Sequence, residues 1–118
     1  ETMIIPKRHL QHISQMTENE QRSLSLIIKL LTVKYDNLFE VSFPYSAGIH
    51  QMPTDGNHYP EWHFHMSFYP PLLRSAAIKK FMVGYEMFAI PQWDITAEQA
   101  AIKLNQLSTV HYSNVKKV

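Results

Sequence analysis

At 118 residues the chain is long enough for one hydrophobic core and too short for two, so a single domain spanning residues 1–118 is expected. Hydrophobic residues make up 45% and charged residues 18%, a globular and not a disordered balance. The net charge of +1, with seven neutral histidines, gives no electrostatic case for nucleic acid, and no apolar run approaches the roughly 20 residues of a membrane span. The absence of cysteine excludes a disulfide framework and a thiolate metal site or nucleophile, and it fits a reducing, cytoplasmic compartment.

Met3 to Ile5 read as a short strand, stopped by Pro6 and the basic Lys7-Arg8-His9. The β-like opening at Glu1, with no turn before it, predicts a piece of a longer protein. Thr17-Glu18-Asn19-Glu20 is a capping box, in which a threonine oxygen and a glutamate carboxylate satisfy free helix-start N–H groups. Behind it Leu24, Ile27, Ile28, Leu31, Tyr35 and Leu38 recur at helical spacing, which predicts a long helix with one buried stripe.

Ser42 to Gln51 reads extended, interrupted at Pro44 and loosened at Gly48. Residues 52–61 (MPTDGNHYPE) hold Asp55-Gly56, a turn signal joining two strands. Trp62 to Phe68 then alternates, with Trp62, Phe64, Met66 and Phe68 on one face and His63, His65 and Ser67 on the other, until Pro70-Pro71 ends it. Lys79 to Phe88 predicts a further strand, with Gly84 marking a bulge or a close approach. Thr96-Ala97-Glu98-Gln99 is a second capping box, opening a helix with Ala97, Ala100, Ala101, Leu104 and Leu107 as its inner stripe. The order strand, long helix, three strands, helix predicts an α+β fold, an antiparallel sheet with helices packed on it.

The histidines carry what chemistry the chain offers. Two imidazoles at i and i+2 on one strand face can reach one metal ion, and His50, on the preceding strand, is the nearest third ligand for His63 and His65. A structural zinc site needs about four ligands and a catalytic one about three. The ordinary alternative is that all three are polar strand residues. The alternation His63-Phe64-His65-Met66-Ser67 also resembles the histidine-triad superfamily, in which the middle histidine attacks a nucleotide phosphate; that would make His65 the nucleophile of a nucleotide hydrolase or transferase. His9, His12, His58 and His111 are expected in solvated positions. Arg74, Lys79 and Lys80 could meet phosphate or be surface charge, and Phe81, Tyr85, Phe88 and Trp93 suit a core or its rim.

A wider resemblance rests on Tyr35-Asp36-Asn37-Leu38-Phe39, Phe43-Pro44-Tyr45-Ser46, Phe68 to Ala76 (FYPPLLRSA), Lys80 to Met87 (KFMVGYEM) and Thr96 to Ala101 (TAEQAA). In order, and over nearly the whole chain, these resemble the second half of the galactose-1-phosphate uridylyltransferase family. The resemblance implies a histidine-triad-like fold and a longer enzyme that moves UMP between UDP-glucose and galactose 1-phosphate through a uridylylated histidine. That histidine belongs to a His-Pro-His motif in the family's first half, and no His-Pro-His occurs here. No catalytic residue is therefore expected in this chain, and alone it is expected to be inactive. The alternative from another class is a stand-alone nucleotide-sugar binding domain.

The resemblance further implies substrate contacts at Lys80, Phe81, Val83, Tyr85, Glu86 and Gln92, with Glu86 holding hexose hydroxyls and Gln92 nearer the phosphoryl end. Where the family often has arginine after this glutamine, Trp93 stands here. The implied partners are UDP-glucose, UDP-galactose and hexose 1-phosphates, the missing N-terminal half, and a second copy in a homodimer, with neither nucleic acid nor a membrane. Some members bind a structural zinc or iron through a histidine on the strand before the turn, two on the next, and a carboxylate from the first half. His50 and His65 match two of these positions, Ser67 stands at the third, and His63 is the candidate substitute.

Overall fold

The capping box at residues 17–20 forms as its chemistry requires. The Glu20 carboxylate accepts from the Thr17 backbone N–H at 2.8 Å, and the Glu20 N–H donates to Thr17 Oγ1 at 3.3 Å. It starts helix α1, Glu18–Asn37. The computed structural model of the protein describes residues 1–70 and 96–115. The strand expected over residues 79–88 lies outside them. The chain divides into two compact units, one of residues 1–26 and 46–69, the other of residues 27–45 and 70–118. Helix α1 contributes its first turns to one unit and the rest to the other.

The first unit contains a three-stranded antiparallel sheet of β1 (Thr2–Ile4), β2 (Ser46–His50) and β3 (His65–Tyr69), in the order β1-β3-β2. With the helices this gives the expected α+β class. Strand β3 is central. Its register sets Ser67 opposite both Met3 and Gly48, Phe68 opposite Thr2 and Ala47, and His65 opposite His50. Phe64 and Phe68 point to one face and are 1% exposed. Phe64 closes a small core with Leu10 and Met16, against which Leu24 of α1 packs, and its N–H donates to the Leu10 carbonyl. Burying a phenylalanine side chain contributes about 1.5–3 kcal/mol, so this cluster outweighs any single polar contact of the unit.

A bidentate pair ties the incoming segment to the start of α1. Arg8 Nε and Nη2 donate to the two Glu20 carboxylate oxygens at 2.9 and 2.8 Å, and Nη2 also donates to the Gln15 carbonyl at 2.8 Å. The connection from β2 to β3 turns at Gly56, whose φ of +86° is the left-handed conformation glycine adopts without strain. Beside it Asp55 accepts from the Asn57 backbone at 3.1 Å and from the Tyr59 hydroxyl at 2.8 Å, and these bonds hold its carboxyl below the usual range.

The second unit is arranged around Tyr35, which is fully buried, with the Phe43 ring at 6.3 Å and the Tyr45 ring at 6.0 Å. Helix α1 ends in a Schellman-type turn: the Val41 N–H donates to the Asp36 carbonyl, and Glu40 takes a positive φ of 52°. The second capping box also forms, Thr96 with Gln99, and opens α2, Ala97–Gln106. Lys34 of α1 donates to the carbonyls of Leu104 and Asn105, placing a cation at the negative end of α2. Asn37 donates to the carbonyls of Ser108 and Val110 and accepts from the Tyr112 N–H.

Three expectations are corrected. Ile27 is 47% exposed, so the inner stripe of α1 is Leu24, Ile28, Leu31 and Tyr35, narrower than the apolar pattern. Ala97 and Ala101 are exposed, leaving Ala100, Leu104 and Leu107 as the partly covered side of the second helix segment. Strand β3 begins at His65 and not at Trp62, because the Phe64 N–H is taken by Leu10, outside the ladder.

The Arg8 pair, followed by the Thr17 backbone bond, lowers the Glu20 pKa from 4.5 to about 2. A carboxylate whose folded pKa lies below its unfolded value stabilises the fold above the unfolded pKa. That contribution is lost as pH falls from the ordinary carboxylate range toward 2. An NMR titration of the Glu20 carboxyl is expected to show a midpoint near the lower value, moving up in Arg8→Met; an unchanged midpoint in that variant would rule out the pair as the main cause.

Candidate functional site

The imidazoles predicted to converge do so only in part. His50 and His65 face each other as a cross-strand pair, and their rings stack with centroids 4.7 Å apart and planes 12° from parallel. His63 precedes the strand, is free of the ladder geometry, and sets its ring edge-on to His9 at 5.1 Å and 62°. His9 was expected in solvent; it is exposed, yet it supplies this ring contact. On two consecutive residues, Trp62 Nε1 and His63 Nε2 are buried and have no hydrogen-bond partner among the described residues. An indole N–H left so is an uncommon arrangement that costs about 1–3 kcal/mol.

The His65 ring is held by a hydrogen bond at one of its two nitrogens. Its Nδ1 lies 2.9 Å from the His63 carbonyl oxygen. A carbonyl only accepts, so Nδ1 carries a proton, and in the neutral ring Nε2 is then the nitrogen with the lone pair that a metal or a phosphorus atom would meet. Ser67, the third residue on this face, is 1% exposed. Both faces of β3 are thus covered at Ser67 and Phe68, and the other three residues of the strand are partly exposed.

A metal bound by both His50 and His65 would have to lie close to both ring planes, about 2.0–2.1 Å from a nitrogen of each. Stacked, nearly parallel rings aim their in-plane lone pairs side by side and not at a common point. Among the described residues no group of three histidine, aspartate, glutamate or cysteine side chains comes together as a metal site. The ligand set His50, His63 and His65 therefore does not fit a zinc or iron ion as these residues lie.

The second unit contains a polar cluster that sequence reading missed. His111 Nε2 is 3.3 Å from the Asp36 carboxylate, which also accepts from the Phe43 N–H at 2.8 Å, while His111 Nδ1 meets the Ser113 hydroxyl at 2.7 Å. His111 had been expected in solvent; its side chain is 27% exposed. The sequence signal was available in the neighbouring Tyr35-Asp36-Asn37 run, but nothing in spacing alone connects residue 36 with residue 111.

The substrate contacts implied at Lys80, Phe81, Val83, Tyr85, Glu86 and Gln92 lie outside the described residues. No helix among the described residues is long and apolar enough to cross a membrane.

The described residues form an α+β fold around a central histidine-bearing strand, and comparison with known proteins gives its family. The family model described as "Galactose-1-phosphate uridyl transferase, C-terminal domain" matches residues 1–116. The chain belongs to that family. It is 51% identical over 117 residues to the galactose-1-phosphate uridylyltransferase of Haemophilus influenzae, covering 99% of this chain and 34% of the relative. With the enzyme of that name from Saccharomyces cerevisiae it shares 53% over 115 residues, 95% of this chain and 31% of the relative. With that of Rattus norvegicus it shares 48% over 120 residues, 99% and 32%. The chain spans about a third of the length of the curated relatives it matches.

If the carbonyl bond sets the tautomer, long-range nitrogen–proton NMR is expected to find a proton on His65 Nδ1. A ring protonated on Nε2 alone would instead leave Nδ1 and the carbonyl as two facing acceptors, and would refute the assignment.

Proposed function

We propose that this chain is the C-terminal part of a longer nucleotidyltransferase that exchanges UMP between UDP-glucose and galactose 1-phosphate in galactose metabolism. The match over residues 1–116, to a family named for that transfer, carries the reading. In it the fold belongs to the histidine-triad-like group, the complete enzyme is a cytoplasmic homodimer, and this part supplies substrate contacts and dimer surface. The nucleophile comes from the first half, since the chain contains no His-Pro-His.

The reaction is two displacements at one phosphorus. A histidine of the first half attacks the α-phosphate of UDP-glucose, forming an N–P bond as glucose 1-phosphate leaves; galactose 1-phosphate then attacks that phosphorus and carries UMP away as UDP-galactose. The task left to this part is to hold the sugar phosphate in line. A hexose presents a ring of hydroxyls. A carboxylate accepts two of them at once, and an amide both donates and accepts. Glu86 is accordingly assigned to the hexose hydroxyls and Gln92 to the phosphoryl end, with Lys80, Phe81, Val83 and Tyr85 lining the remainder. No metal is assigned a step.

Two measurements test this. Incubated alone with labelled UDP-glucose, residues 1–118 are expected to retain no acid-labile label. Label that appears here and vanishes in His65→Ala would replace the proposal with a triad-type reaction at His65. In the full-length protein, Glu86→Ala is expected to lower kcat/KM for both UDP-glucose and UDP-galactose by about 10- to 150-fold, the equivalent of about 1.5–3 kcal/mol for a hydrogen bond to a charged group. Unchanged kinetics in a folded variant would remove Glu86 from the site.

A further inference from the structure

We propose that His50 and His65 join β2 to β3 as a direct, metal-free stacked pair, standing where the resemblance implies a structural metal centre. Three features of the molecule lead there. The two rings lie on directly opposed residues of neighbouring strands and stack at 4.7 Å, 12° from parallel, an arrangement in which they touch each other and present no shared coordination point. His65 is fixed in that orientation by its Nδ1–H bond to the His63 carbonyl. The third position on the same face is Ser67, buried to 1% exposure, whose neutral hydroxyl is a much poorer ligand for a transition metal than imidazole.

His63, the remaining imidazole within reach along the chain, cannot make up the loss. Its ring is turned against His9, and its carbonyl is already the anchor of His65. A carboxylate contributed by another part of the protein would bring the ligand count to three only if the stack opened, and opening it removes the ring contact and turns His65 off its carbonyl. Direct packing and metal coordination are therefore alternatives at this pair. Gly48 lies two residues before His50 on β2, and an added Cβ there would meet His50 Nε2 at 3.9 Å, an ordinary contact.

The consequence is a strand pair held by ring contact, whose strength depends on aromatic surface and not on ligand chemistry. Phenylalanine keeps a flat ring but cannot bind a metal; alanine loses both. In the full-length protein, exposed to zinc and to ferrous iron and then dialysed, metal content is expected to be the same in the wild type and in His50→Phe. His50→Ala is expected to lower Tm by about 1–2 °C, and His50→Phe to retain most of the wild-type value. Metal that the wild type retains and a folded His50→Phe variant loses overturns the proposal. So does a His50→Phe variant as destabilised as His50→Ala in a metal-free protein, because the ring contact would then not be what holds the pair. Neither readout depends on uridylyl transfer, so this inference stands or falls apart from the proposed reaction.

Discussion

Strand β3 is hydrogen-bonded on both edges, and its register governs everything placed around it. Side chains alternate along a strand, so a slip of one residue relative to β1 and β2 would turn Phe64 and Phe68 away from the apolar side and bring His65 and Ser67 into it. The aromatic burial is worth more than any one polar contact in the unit, and it is what makes the slip unfavourable. With the register held, His65 must meet His50 and Ser67 must lie between Met3 and Gly48. The histidine pair is thus a consequence of packing on the opposite face.

Helix α1 is held differently at its two ends. At the start, local chemistry suffices: a capping box, reinforced by Arg8 reaching back from the incoming segment. Toward the end, Lys34, Asp36 and Asn37 reach residues 104–112, more than sixty positions away in sequence. Those bonds satisfy exposed helix-end carbonyls and turn amides, the groups that regular structure leaves without partners. A helix that reads as a single amphipathic element thereby contributes to two units, with its apolar stripe used by both and its polar end serving as a socket for the C-terminal segment.

The division of labour proposed for the complete enzyme follows from the same economy. Phosphoryl transfer through a histidine needs one nucleophile in one environment, and positioning the sugar phosphate needs many modest contacts from a stiff support. On the proposed reading the second task falls to the C-terminal part. The side chains described here form support: buried rings, capped helices and a central strand.

Much of this was written in the sequence. Both capping boxes, the course of α1 and the antiparallel pairing across the Asp55-Gly56 turn follow from contacts spanning a few residues, or from periodicity that a helix or strand imposes on its own. The family was legible too, because runs such as YDNLF and FYPPLLRSA are long enough to be specific. What alternation could not tell was where β3 begins: the Leu10 carbonyl takes the Phe64 N–H, so His63 leaves the ladder and turns toward His9. Nor could spacing say that His50 and His65 stack instead of converging, or that His111 meets Asp36. A sequence determines which residues share a face; only the packed chain decides the angle at which two rings meet, and at a metal site or a stacked pair that angle is the chemistry.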